Sequence, residues 1–191
     1  GCNNARELLS LASLKVIPSV GIDQSGAFLE QGRVLAKAAG LEPRLIEADI
    51  YDLPDDVGTF DLVLVTIGVL NWMPDLGGFF RVIAGLLGPG GHLLVYETHP
   101  VMEMFDPESD TPHEPAISYF RTDPLKEEGL ISYDGVDHGS GETGYWFIHT
   151  LGQIVTSCAT AGMTITSLKE FGYSIREPEY DVYEGREAQI P

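Results

Sequence analysis

Cysteine, basic residues and long apolar runs are all scarce in this sequence. Only two cysteines occur in 191 residues, Cys2 and Cys158. They lie far apart with no metal-ligand spacing, so neither a disulfide scaffold nor a metal site is expected, and a reducing cytoplasm is the matching compartment. No apolar run reaches the roughly 18 residues that a membrane helix needs. The longest, Leu62 to Leu70, is broken by Thr66 and Gly68 and reads as a buried strand with its exit. Lys and Arg total 11 against 29 Asp and Glu, a net charge of −18. The few basic residues are scattered, so phosphate backbones and anionic membrane surfaces are poor partners. A small molecule is the expected substrate; the pattern specifies no oligomeric state.

What is present fits one globular domain over residues 1–191. Hydrophobic residues make up 43% and charged residues 21%, ordinary values for a soluble fold. Short apolar runs alternate with helical stretches, which predicts β/α units and a parallel sheet. Arg6 to Leu14 reads as a helix and Val16 to Ile22 as a strand ending at Asp23. Ser25 caps a helix to about Ala39, with Phe28, Val34, Leu35 and Ala38 as its apolar stripe and Gly40 as its stop. Leu45 to Ala48 and Asp61 to Thr66 read as strands. A helix opens at Pro74-Asp75, carries Leu76, Phe79, Phe80, Ile83, Leu86 and Leu87, and stops at Gly88-Pro89-Gly90-Gly91. His92 to Glu97 is the next strand. Thr150-Leu151-Gly152-Gln153 has the form of a capping box before a helix closed by Gly162, and Met163 to Phe171 reads as a last strand. Between Thr98 and Trp146 the alternation fails amid prolines, aromatics and acids. The chain thus divides into a first half (1–97), an insertion or lid (98–147) and a C-terminal part (148–191).

Three short segments carry candidate chemistry. Gly1-Cys2-Asn3-Asn4-Ala5 is a tight run of small residues entering a helix, where a ligand reaches backbone N–H groups; a simple capping turn is the alternative. Asn3 tolerates positive φ. A dinucleotide fingerprint would require glycines at Asn3 and Arg6. Asp23 ends a strand about 18 residues after Ala5, a distance and place at which an acid binds ribose hydroxyls; a surface turn or cap residue is the weaker alternative. Asp49-Ile50 ends the following strand and pairs an acceptor for an adenine amino group with an apolar surface for the ring; an ordinary turn is the alternative.

Together GCNNARE, GIDQS, EADIYDLP, FDLVLVTIGVLNWMPDL and LLGPGGHLLVYETHP resemble the class I S-adenosylmethionine-dependent methyltransferases, from the first residue to about Pro100. A fainter similarity covers YWFIHTLGQIVTSCATAGMTITSLKEF, the family's last helix and sixth strand. The resemblance implies a Rossmann-like three-layer α/β/α sandwich with a mostly parallel sheet, and S-adenosylmethionine as cofactor. It places Gly1, Cys2, Asn3 and Ala5 beside the methionine part, Asp23 with Gln24 at the ribose, Asp49 and Ile50 at the adenine, and Thr66 and Ile67 near the sulfonium. Two departures stand out. Asn3 and Ala5 replace glycines, and Ala5 is expected to require a negative φ. The family's first strand would precede Gly1 and its seventh would follow the region of Glu184 to Pro191, so the 191 residues are expected to be part of a longer polypeptide.

Methyl transfer from a sulfonium is an in-line displacement in which alignment dominates. His99, after the fifth strand, and His149, before the capping Thr150, are the candidate catalytic side chains. Trp72 and Trp146 are candidate apolar walls. The expected function is methyl transfer to a small molecule. Cofactor binding without catalysis and a nucleotide-dependent oxidoreductase are the alternatives, and the missing dinucleotide glycines weigh against the latter.

Overall fold

The computed structural model describes residues 1–107, 109–128 and 143–172, which fall into two compact units. The first holds Gly1–Val69, Asp75–Glu97 and Thr160–Met163. It runs through α1 (Arg6–Ser10), a 3-10 turn (Leu11–Leu14), β1 (Val20–Asp23), α2 (Gly26–Ala39), β2 (Arg44–Glu47), β3 (Phe60–Val65), α3 (Leu76–Leu86) and β4 (Leu87–Val95). β1 pairs with β2, and β3 with β4, both in parallel. Each parallel pair is joined through a helix, as parallel connections require.

Local chemistry explains the helix ends. Ser25 accepts a hydrogen bond from the Phe28 N–H at 3.3 Å, and Gly40 ends α2 at φ 67°. Asp75 caps α3 by accepting from Gly78 at 2.9 Å. Each such cap is worth about 1 kcal/mol. Phe79, Phe80 and Ile83 bury one face of α3, as their spacing predicts.

The stripe expected on α2 is displaced. Val34 is 63% exposed and Leu35 39%, whereas Leu29, Gly32 and Ala36 are buried. The reason is close approach: a Cβ on Gly32 would lie 3.0 Å from the Asn4 carbonyl oxygen. The small-residue face is therefore the one that packs against the opening loop. Two strand expectations also shift. β1 starts only at Val20, because Pro18 lies within the predicted run. β4 starts at Leu87 and carries the Gly-Pro-Gly-Gly turn inside it: Phe60 pairs with Leu87, then the register jumps to Leu62 with His92.

The facing edges of β1 and β3 have no strand paired to them among the described residues. The carbonyls of Ser19 and Asp23 accept from β2 and its exit, so by alternation those of Val20 and Ile22 face away from β2. The Ile22 carbonyl accepts the Cys2 N–H at 2.8 Å. On β3 the Val65 carbonyl accepts from Tyr96, so Leu62 and Leu64 present the free edge. A cleft of about 490 Å³ runs between the two edges, lined by Val20, Ile22, Leu62 and Leu64 among others.

The second unit holds Leu70–Pro74, Thr98–Ala159 and the residues from Thr164 onward. The 3-10 turns Leu70–Trp72 and Pro100–Met104, the antiparallel pair β5 (Leu125–Glu128) with β6 (Thr143–Trp146), and α4 (Leu151–Thr160) are its elements. The capping box forms in full. Gln153 N–H donates to Thr150 Oγ1 at 3.1 Å, and Thr150 N–H donates to Gln153 Oε1 at 2.8 Å. The strand expected over Met163 to Phe171 is not formed. Ile165, Leu168 and Phe171 stay exposed, and no neighbouring strand among the described residues pairs with the segment. The region of Glu184 to Pro191 lies outside the described residues.

Candidate functional site

The first unit gathers its candidate residues at the carboxyl ends of β1, β2 and β3. The opening loop turns sharply twice: Asn3 has φ 51° and Ala5 φ 59°. Asn3 thus takes the left-handed conformation that its residue type tolerates. Ala5 contradicts the expectation of a negative φ. Its backbone must turn left to start α1, and its fully buried methyl group packs with Leu9 and Ala36. That burial offsets part of a conformational cost of about 1–2 kcal/mol.

Asp23 ties the loop to the strand end. Its Oδ2 accepts the Asn3 N–H at 2.7 Å and its Oδ1 accepts the Ser25 N–H at 2.9 Å. Both oxygens keep a lone pair for a further donor. Burial pushes the neighbouring Cys2 thiol up to about 11, and the negative charge of Asp23 adds to the shift. The thiol therefore stays protonated at neutral pH and acts as a packing group beside Leu8 and Leu45. Gln24 follows, exposed.

At the end of β2, Asp49 is exposed and Ile50 buried. Asp49 Oδ1 accepts the Tyr51 N–H at 2.9 Å. The Tyr51 hydroxyl donates to the Asp75 carbonyl at 3.0 Å and accepts the Asp75 N–H at 3.2 Å, joining this segment to the cap of α3. Burial raises the Tyr51 phenol, and the Asp75 contact opposes that rise. At the exit of β3, Thr66 and Ile67 are half-buried. The turn closes through Val69 N–H donating to the Thr66 carbonyl at 3.2 Å. The exit lies against the opening loop: a Cβ on Gly1 would sit 3.3 Å from a Val69 methyl and 4.0 Å from Asp23 Oδ2. Loop, strand-end acid and β3 exit therefore converge at the carboxyl ends of the strands, where open α/β sheets bind ligands.

The two histidines belong to the second unit. His149 Nε2 lies 2.8 Å from the Met73 carbonyl oxygen. A carbonyl only accepts, so Nε2 carries the proton. Burial lowers the His149 pKa, and the carbonyls of Met73 and Leu70 oppose that shift. The ring stacks on Phe147 with centroids 6.4 Å apart. Phe147 N–H in turn donates to the Asn71 carbonyl at 2.7 Å, and Asn71 Nδ2 to the Phe147 carbonyl at 3.0 Å. His99 caps the turn Pro100–Met104, its Nδ1 accepting the Val101 N–H at 3.1 Å. Glu170 Oε1 lies 2.7 Å from His99 Nε2 without the alignment of a hydrogen bond. Trp72 and Trp146 meet edge to face at 5.3 Å, and Trp146 Nε1 donates to Glu103 at 2.8 Å.

Residues 1–95 match the family model of a methyltransferase domain. Over those residues the chain is similar to that methyltransferase family. A demethylmenaquinone methyltransferase from Thermus thermophilus is 40% identical over 84 residues, 42% of this chain and 36% of the relative. The chain thus spans little more than a third of that curated relative. Among solved structures, an S-adenosylmethionine-dependent methyltransferase from Mesorhizobium loti superposes with a TM-score of 0.63 at 19% identity, covering 92% of this chain and 76% of the other. One described as a putative S-adenosylmethionine-dependent methyltransferase from Listeria monocytogenes gives 0.64 at 17%, covering 87% and 72%. These likenesses establish the Rossmann-like fold.

Within this methyltransferase fold, three contacts had no signal in the chain's motifs. Gly32 admits the loop onto α2, Tyr51 joins β2's exit to α3, and Glu97 accepts a hydrogen bond from the Gly68 N–H. Gly68 itself is the one cue, since its φ of 85° marks a turn that needs glycine.

Proposed function

We propose that the protein transfers a methyl group from S-adenosylmethionine to a small-molecule acceptor. The observation that carries this reading is the convergence of the Gly1–Ala5 loop, Asp23 and the β3 exit. The residues fit the cofactor. Asp23 has lone pairs free for ribose hydroxyls, buried Ile50 offers an apolar surface beside Asp49 for adenine, and the left-handed loop holds the main chain close to the strand ends. Gly1, Cys2, Asn3 and Ala5 would flank the methionine part, Gln24 would lie beside the ribose, and Thr66 with Ile67 would wall the sulfonium. When bound, the cofactor supplies an electrophilic methyl group. The chain's own task is to align an acceptor and keep water away. A cytoplasmic location agrees with the two free cysteines; among the described residues no helix is long and apolar enough to cross a membrane. The net charge of −18 disfavours nucleic-acid acceptors. Transfer of labelled methyl from S-adenosylmethionine to a panel of neutral and cationic small molecules tests the reading. Binding of the cofactor with no transfer to any of them would instead support the binding-only alternative.

Neither imidazole is placed as an unencumbered base. His149 Nε2 holds its proton against Met73, and His99 Nδ1 is occupied by the Val101 N–H. The reading therefore rests catalysis on alignment, and both histidines are proposed to position their turns. His99→Gln is expected to lower turnover by less than about tenfold, below the 10²–10⁴ typical of losing a general base. A loss beyond about a hundredfold at saturating substrates would return His99 to the role of base.

The longer polypeptide expected from the sequence is kept as a proposal, supported by the cleft. Its two backbone edges, to which no strand pairs among the described residues, and its apolar walls suit one further parallel strand, which would satisfy the backbone groups of Val20, Leu62 and Leu64. The intact mass of the protein from its native source is expected to exceed that of the 191 residues; a mass equal to theirs would contradict the proposal.

A further inference from the structure

The β3 exit, Thr66-Ile67-Gly68-Val69, is a four-residue turn closed by Val69 N–H on the Thr66 carbonyl. Gly68 has φ 85°, while Ile67 is absent from the positive-φ residues. Negative φ followed by φ near +80° is a type II turn. Types I and II differ by a flip of the central peptide plane, here Ile67–Gly68, so something must select between them. Gly68 permits the type II form, and Glu97 is placed to hold it. Tyr96 N–H donates to the Val65 carbonyl, which sets the end of β4 level with the end of β3. The next side chain, Glu97, accepts the Gly68 N–H through Oε1. The peptide is planar and trans, so with its N–H turned to Glu97 its Ile67 carbonyl points the opposite way. The same turn ends in Val69, whose methyl group borders Gly1.

We propose that Glu97 is a positioning residue that latches the Ile67–Gly68 peptide in its type II orientation and so fixes the wall of the cofactor site. The inference rests on the cofactor reading above. Glu97 acts through Gly68 and Val69 on the opening loop. A carboxylate suits the task because a hydrogen bond to a charged acceptor is roughly twice as strong as a neutral one. The Glu97→Gln change would retain an acceptor oxygen in the side-chain amide, whereas Glu97→Ala would leave the peptide free to flip.

Two measurements on the protein test this. Amide exchange read by NMR without cofactor is expected to show Gly68 N–H protected in the wild type and in Glu97→Gln, and exchanging at least about tenfold faster in Glu97→Ala. An unprotected Gly68 amide in the wild type would overturn the latch whatever the cofactor. Calorimetry with S-adenosylhomocysteine is expected to show about tenfold weaker binding in Glu97→Ala, with Glu97→Gln within about threefold of wild type. Equal affinities in wild type and Glu97→Ala would overturn the positioning role, as would Glu97→Gln falling as far as Glu97→Ala. Should Gly68 be protected as expected and the wild type bind no cofactor, the cofactor reading fails, and with it Glu97's part in the site, while the turn latch itself stands.

Discussion

Asp23→Ala is expected to weaken S-adenosylhomocysteine binding by at least about a hundredfold. Two effects add. The carboxylate holds the loop through Asn3 N–H at 2.7 Å and the strand exit through Ser25 N–H at 2.9 Å. Each is a hydrogen bond to a charged group, worth about 1.5–3 kcal/mol. Its remaining lone pairs are the ribose acceptors in the proposed site. Losing even about 3 kcal/mol of combined preorganisation and contact corresponds to about a hundredfold in affinity. Asp23→Asn keeps one acceptor oxygen and is expected to fall between the two. Thermal unfolding followed in parallel separates the parts: a lower melting temperature with unchanged affinity would leave Asp23 a structural residue only.

Ala5→Val is expected to destabilise the protein by about 1–3 kcal/mol or more, with Ala5→Gly within about 1 kcal/mol of wild type. Ala5 is fully buried at φ 59°. A β-branched residue is a genuine outlier in that conformation, adding to the cost of about 1–2 kcal/mol that alanine already bears. Its extra methyl groups would also overfill the contact with Leu9 and Ala36, for about 1–3 kcal/mol more. Glycine removes the conformational cost. It also loses a buried methyl, worth about 0.8 kcal/mol, and gains unfolded-state entropy worth about 0.4–1 kcal/mol. The terms nearly cancel. Chemical denaturation of the three proteins checks both; a wild-type-like Ala5→Val would mean that the loop does not hold its left-handed turn in solution.

Much of the fold was legible because its signals are local. Ser25, Gly40, Asp75 and the Thr150–Gln153 box act within one helical turn, and each forms as its residue type dictates. The order of loop, strand-end acid and strand exit was equally readable, since β/α alternation sets it. What failed depended on partners distant in sequence. α2 buries Gly32 rather than Val34 because the loop at Asn4 lies against it, which no periodicity within α2 reveals. Ala5 turns left although alanine prefers not to, because the loop must pack against Leu9 and Ala36, residues beyond its own turn. Met163 to Phe171 has strand-like residues but no strand beside it among the described residues. The histidines were legible as residues near strand and helix ends; their ring-nitrogen partners, Val101 and Met73, were not.

Calorimetric titration of the protein with S-adenosylmethionine, with NAD as the comparison, tests the central claim most directly. The account predicts saturable one-to-one binding of S-adenosylmethionine in the micromolar range, competed by S-adenosylhomocysteine, and none of NAD. No heat of binding from S-adenosylmethionine at high micromolar concentration, or binding of NAD in its place, would contradict it.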